Sequence, residues 1–370
     1  MAWLALSVVV IWAGMLAFRD GFWLADQRDD TVPVDLARWP SVVAVVPARD
    51  EAAVVGRAVA SLVAQDYPGE FRVILVDDNS DDGTAFVARI AADGDPRLTV
   101  LTGGPLPHGW TGKLWALSQG IEQAGSPDYL WLTDADIAHA PDTLRTLAGM
   151  AAPRQLALVS LMARLQCRTF AEKLLVPAFV LFFQMLFPFR AVNRPGRVAA
   201  AAGGCMFVDA AALARAGGIG AVRGAIIDDC ALGELLKRQG PIRLALTRRS
   251  LSLRDYGRIG EIGAMISRSA YAQLRYSPLL LAGTLVGLTL VFLLPPLLTL
   301  AGQIGGVIAW LLMALSFQPM LRFYGQSPLW GIALPLIAAI YGWYTLVSAL
   351  QVWRGRGGQW KGRSQALLQP

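Results

Sequence analysis

A chain of 370 residues with 55% hydrophobic content and a mean hydropathy of +0.45 is too long for one typical domain and too apolar for an ordinary soluble protein. Its net charge of +6 lies largely beside apolar segments, which favours contact with anionic lipid and argues against nucleic acid as a partner. Three cysteines, Cys167, Cys205 and Cys230, and two distant histidines lack paired or metal-type spacing, which argues against a disulfide framework or structural zinc site and suits a reducing setting.

Trp3 to Phe18 is an apolar run that can extend to Leu24. No basic residue precedes it and no small-residue cleavage site follows it, so residues 1–24 are expected to be an uncleaved membrane anchor. Arg19, Arg28 and Arg38 come after the run and predict that the following domain stays in the cytosol. Residues 26–40, polar with two prolines, read as a linker.

From there the pattern is α/β. Strands are expected over Ser41–Val46, Phe71–Val76, Leu98–Leu101 and Tyr129–Thr133, with helices over Glu51–Gln65, Gly83–Ala92 and Lys113–Ala124 between them. That alternation predicts parallel strands joined by right-handed crossovers, with every carboxyl end on one edge. The first strand leads into Pro47-Ala48-Arg49-Asp50-Glu51, the second into Asp77-Asp78-Asn79-Ser80-Asp81-Asp82-Gly83-Thr84, the fourth into Asp134-Ala135-Asp136. Three acidic clusters should therefore converge on one crevice, although Asp50 and Ser80 can equally serve as helix caps and Gly83 as a turn residue. Asp134 and Asp136, one residue apart, can hold Mg²⁺ or Mn²⁺, hard ions that take one or two carboxylates plus substrate phosphates. No Gly-x-Gly-x-x-Gly follows the first strand, and Gly112-Lys113-Leu114 lacks the spacing of a phosphate-binding loop. Lys113, at a predicted helix start, can face a phosphate or be an ordinary solvated lysine.

Taken in order, Pro47–Glu51, Val76–Thr84, Gly112-Lys113 and Asp134–Asp136 resemble the glycosyltransferase family 2 pattern on a GT-A (nucleotide-diphospho-sugar transferase) fold. The chain most resembles the membrane-bound hopene-associated glycosyltransferases of bacterial hopanoid pathways, from about Trp3 to Leu350. The resemblance implies that Arg49, Glu51, Asp77 and Asp78, with Lys113 and Asp134, bind a nucleotide sugar of the UDP type, and that Asp134 and Asp136 hold the divalent metal. It implies a lipid acceptor, inversion at the anomeric carbon, and a multi-pass protein of the bacterial inner membrane whose catalytic domain, residues 40–255, is cytosolic.

On the acceptor side, Ala200–Cys205 is a small-residue stretch whose Gly203, Gly204 and Cys205 allow close approach of a ligand or tight packing of a strand on a helix. Asp228 and Asp229 open a helix running to Gln239. In the family an acidic pair at this place provides the catalytic base, usually its second member, which assigns the role to Asp229. An attacking hydroxyl must lose a proton, and the bland alternative is a helix cap. The family often has Glu-Asp here, so Asp228 is a departure.

Residues 256–277 carry Ile259, Ile262, Ile266, Ala270 and Leu274 on one stripe, as expected of an amphipathic helix in the headgroup plane. Processive relatives have Gln-x-x-Arg-Trp there. This chain has Ala272-Gln273-Leu274-Arg275-Tyr276, which keeps Arg275 for the leaving diphosphate and argues against polysaccharide synthesis. Lys173–Phe189 reads as an interfacial helix guiding a lipid or as a buried core helix. Apolar stretches after Pro278 fill 278–353 and are expected to bring the total to four spans, with Pro295-Pro296 able to bend the first two of them into a shallow hairpin; a basic tail, 354–370, follows. Two alternatives stay open: a polyprenyl-phosphate glycosyltransferase, whose acceptor needs no base, and a lipid or glycan transporter with a degenerate nucleotide-binding domain.

Overall fold

The computed structural model describes residues 1–30, 36–355, 359–360 and 363–364. The basic tail expected over 354–370 and the centre of the linker therefore fall mostly outside the described residues. The chain forms two compact units. One comprises Met1–Asp26, Gln166–Arg190 and Asp255–Gln359, and the body of the other is Gln27–Leu165 with Ala191–Arg254.

The second unit is built on an eight-stranded sheet. Its strands are β1 (Val42–Ala48), β2 (Phe71–Asp77), β3 (Leu98–Thr102), β4 (Tyr129–Thr133), β5 (Ile137–His139), β6 (Leu158–Arg164), β7 (Cys205–Asp209) and β8 (Ile242–Ser252). Their spatial order is β3-β2-β1-β4-β7-β6-β8-β5. The block β3-β2-β1-β4 is parallel, as the alternation of strand and helix predicts. The rest is not: β7 runs antiparallel to both β4 and β6, β8 runs parallel to β6, and β5 folds back antiparallel onto β8.

All seven residues of β1 are buried, which is why it reads as a continuous apolar run. Pro47 is tolerated in this central strand because pairing with β4 ends at Val45, two residues earlier. The helix Gly112–Ala124 lies close on β1, since a Cβ on Gly120 would come within 2.4 Å of the Val45 side chain. Trp131, Phe207, Leu75 and Leu147 fill the core around the sheet.

One expected helix shortens. Instead of starting at Glu51 it covers Val55–Val63, because Asp50 adopts left-handed backbone (φ +50) and the Glu51 N–H is spent on Thr84 Oγ1 at 2.8 Å. The helix expected from Asp228 to Gln239 covers Asp228–Lys237.

Among the described residues, the first unit contains three helices long and apolar enough to cross a membrane: Pro278–Leu300, Ile304–Tyr324 and Pro328–Trp353. Ala2–Phe18, expected as a fourth span, is a shorter apolar helix of 17 residues. Pro295-Pro296 lies within one continuous helical stretch, Pro278–Leu300, that contains a π-turn at Thr289–Leu293. Pro295 cannot donate to the Val291 carbonyl one turn back, and the Trp12 indole N–H does so instead at 2.8 Å. Phe170–Leu186 belongs to this unit too. Its Leu175 carbonyl accepts from the Tyr341 hydroxyl at 2.9 Å, and Phe182 meets Phe292 and Tyr341 edge-on. The amphipathic stripe forms the helix Ile259–Gln273, where Tyr344 lies over Gly263 so closely that an added Cβ would fall 2.0 Å from its ring.

Candidate active site

The carboxyl ends of β1 and β2 are laced together. Arg49 Nη1 donates to the carbonyls of Asp78 and Asn79, and the Asp50 N–H donates to Ser80 Oγ at 2.9 Å, while Ser80 donates to Asp77. Asn79 turns in left-handed backbone (φ +54) and donates its amide to Gly103 O at 3.1 Å. Asp50 and Ser80 thus join two loops to each other, and Asp78 is buried beneath them. The predicted nucleoside-binding residues Arg49, Glu51, Asp77 and Asp78 are brought into this one corner.

A second cluster forms where β4 ends. Lys113 Nζ lies 2.9 Å from Asp134 Oδ1 and 3.0 Å from Asp228 Oδ2, so the first helical residues after Thr111 meet both the β4 terminus and the acidic pair. Asp228 Oδ2 is buried and, though close to the ammonium, accepts no well-aligned hydrogen bond. Burial opposes the Lys113 charge, but Asp134 and Asp228 outweigh it and hold the ammonium above its usual range. Asp134 is raised by desolvation and by Asp136, against the pull of Lys113.

Asp229 occupies the first turn of the helix Asp228–Lys237 and accepts two backbone N–H groups, Cys230 on Oδ1 at 2.7 Å and Gly203 on Oδ2 at 2.9 Å. Desolvation and the neighbouring Asp228 push it up to about 6, against Lys113 and the two N–H donors. Gly203 lies close against both: a Cβ there would sit 3.3 Å from Lys113 Nζ and 3.5 Å from Asp229. The acidic pair, Lys113, Gly203 and Asp134 are therefore one constellation.

Arg254, just beyond β8, was not indicated by any motif. Its Nε meets Asp136 Oδ2 and its Nη2 meets Glu51 Oε1, each at 2.8 Å, tying the second aspartate of Asp-Ala-Asp to the nucleoside corner. The only sequence signal is an arginine leaving a strand. Two residues expected on the acceptor side are turned into the fold. Cys205, expected on the acceptor side, faces the sheet interior, where its sulfur accepts from Trp131 Nε1, so it presents no surface to an acceptor. Gly204 packs against Ala163 and Ile137. Arg275 belongs to the other unit, where it and Tyr276 leave their helix in left-handed backbone.

Among the described residues, no group of three or more His, Cys, Asp or Glu side chains is arranged to hold a metal. The local charge nevertheless suits a cation shared with a ligand: Asp134, Asp136, Asp228, Asp229 and Glu51 gather around Lys113 and Arg254, and one buried carboxylate oxygen, Asp228 Oδ2, lacks a hydrogen bond. Two carboxylates completed by substrate phosphates are what Mg²⁺ and Mn²⁺ commonly accept.

Comparison with known proteins gives the family and the fold. The profile of the family described as glycosyltransferase like family 2 matches residues 40–245. The beta-monoglucosyldiacylglycerol synthase of Synechocystis sp. is 36% identical over 108 residues, 29% of this chain and 22% of that one. An N-acetylglucosaminyltransferase of Rhizobium leguminosarum bv. viciae is 36% identical over 110 residues, 30% of this chain and 25% of its own length. The match thus spans about a quarter of the length of these curated relatives. Among solved structures, a mannosyltransferase from Pyrobaculum calidifontis in complex with GDP-Man and Mn²⁺ superposes with a TM-score of 0.59 at 19% identity, covering 95% of this chain and 99% of that one. The fold is therefore GT-A-like, an α/β domain accompanied by apolar helices.

Proposed function

Because the chain belongs to the glycosyltransferase like family 2, we propose that it transfers a sugar from a nucleotide-diphosphate donor to a hydroxyl of a membrane lipid, with inversion, at the cytosolic face. The observation that carries this reading is the single lysine that joins the two halves of the chemistry: Lys113 bridges Asp134, on the donor side, and Asp228, the neighbour of the base. In this reading Arg49, Glu51, Asp77 and Asp78 seat the nucleoside. Asp134 and Asp136 would hold Mg²⁺ or Mn²⁺, which when bound neutralises the donor diphosphate. Arg254 keeps Asp136 and Glu51 in register. The acceptor oxygen forms its bond to the anomeric carbon as the bond to the diphosphate breaks, and the hydroxyl proton passes to Asp229. A base pushed up to about 6 is mostly ionised at neutral pH yet more basic than an ordinary aspartate.

A lipid acceptor is supported by the three apolar helices and by the diacylglycerol named for the Synechocystis relative. The more specific proposal, a hopanoid acceptor, rests on the motif resemblance. We further propose the division into an anchor (1–24), catalytic domain (40–255), interfacial helix (256–277) and membrane helices (278–353). The test is incubation of the purified protein with a panel of nucleotide sugars and hopanoid, diacylglycerol or polyprenyl-phosphate lipids, products being identified by mass. A new glycolipid with a hydroxyl acceptor supports the reading. Product only on the polyprenyl phosphate would replace it with the base-free alternative.

A further inference from the structure

Behind the acidic edge lies a buried polar chain that the proposed chemistry does not touch. His139, at the end of β5, is 5% exposed, with its Nε2 2.8 Å from Thr133 Oγ1 and its Nδ1 2.9 Å from Ser250 Oγ. Its own N–H donates to Ser61 Oγ at 3.0 Å, and its ring lies 4.6 Å from that of Trp131. Thr133 Oγ1 in turn donates to the Gly204 carbonyl at 2.8 Å.

Proton counting fixes the direction of this chain. A carbonyl only accepts, so the one hydroxyl proton of Thr133 goes to Gly204 O, and Thr133 must accept from His139. Nε2 therefore carries the proton, and Nδ1 accepts from the Ser250 hydroxyl. Burial keeps the ring neutral, which this pattern requires. At the far end, the Gly203 N–H, one residue before the carbonyl that Thr133 holds, donates to Asp229. Ala202 is pinned from the other side by Ser160, which accepts its N–H at 2.8 Å.

We propose that His139 is a positioning residue for the transfer reaction: through Thr133 it fixes the Gly203-Gly204 backbone that orients Asp229. The inference rests on the reading of Asp229 as the base. It explains why an apolar sheet interior contains a histidine, a threonine and a serine in series, where apolar side chains would pack without needing partners.

The test uses the full-length protein in detergent with whichever nucleotide sugar and lipid the panel incubation identifies as substrates. His139→Leu removes the donor to Thr133, whereas His139→Gln can supply an amide N–H in its place. In His139→Leu, kcat should fall about 10²-fold, the cost of an ångström-scale misplacement, with donor KM little changed. The acid limb of the rate profile should move to higher pH as Asp229 loses the Gly203 N–H. The other groups facing Asp229, namely Lys113, Asp228 and Cys230, are unaltered by the change. His139→Gln should recover most of kcat. Should His139→Leu not fold, Thr133→Val, which deletes the hydroxyl at similar volume, takes its place with Thr133→Ser as its rescue. A histidine that merely fills the core would lower the unfolding temperature but leave kcat per folded molecule and the acid limb unmoved, and that result would overturn the inference. Wild-type transfer by Asp229→Asn in the same assay would instead remove the base reading on which it rests.

Discussion

Replacing Lys113 with methionine probes the electrostatics of the site. The ammonium lies within 3.0 Å of two carboxylates, and its side chain and that of Asp228 are each only 17% exposed. Removing one partner of a buried ion pair typically costs about 3–5 kcal/mol. Asp134, with 32% of its side chain accessible, contributes a smaller, partly screened share, so Lys113→Met should destabilise the protein by about 2–4 kcal/mol at pH 7.5. For a domain of this size that lowers the apparent unfolding temperature by about 5–15 °C. The sign of the pH dependence follows from the raised carboxylates. Asp229 already stands at about 6, Asp134 is raised, and loss of the ammonium lifts both further. A carboxylate whose folded pKa is raised disfavours folding only while it is ionised. The gap between Lys113→Met and wild type should therefore be full above that range and narrow as the pH falls from 7.5 to 5. Differential scanning fluorimetry at both pH values measures it. Equal unfolding temperatures at pH 7.5, or a gap that widens on acidification, would refute the buried-charge reasoning.

Three further outcomes are expected. Asp136→Ala should abolish the Mn²⁺-dependent part of nucleoside-diphosphate binding in calorimetry while the protein stays folded, and unchanged affinity would exclude Asp136 from the metal. Wild-type transfer should fall about tenfold per pH unit below about 6, as the protonated base ceases to accept; a flat profile from pH 7 to 4.5 contradicts the role given to Asp229. Arg254→Lys should weaken nucleotide binding, because one ammonium cannot reproduce a guanidinium that reaches Asp136 and Glu51 from separate nitrogens; equal affinity of the two proteins would count against a joining role for Arg254.

What was legible in the sequence follows from locality. The parallel block β3-β2-β1-β4 alternates with its helices, and its strands end in the clusters that hold Arg49, Asp78 and Asp134, so periodicity and polar strand ends locate half of the site. Asp229 and Lys113 were legible through the motif resemblance and helix-start chemistry, although the sharing of the Lys113 ammonium between Asp134 and Asp228 was not. Arg254 and His139 carried no motif. Arg254 is 118 residues from Asp136 and 203 from Glu51, and His139 is 111 from Ser250. His139 meets Ser250, and Asp136 comes beside Arg254, because β5 folds back antiparallel onto β8, a register no local pattern encodes. The continuity of the helix through Pro295 was hidden for the same reason: Trp12, which satisfies the Val291 carbonyl, lies 279 residues away.

Asp229→Asn tests the central claim most directly, because asparagine keeps the shape and one of the two oxygens that accept backbone N–H groups while removing basicity. With a nucleotide sugar and a lipid hydroxyl acceptor, the transfer rate should drop by about 10² to 10⁴ while donor affinity in calorimetry stays near wild type. Transfer at the wild-type rate would contradict the assignment of Asp229 as the base and, with it, the hydroxyl acceptor.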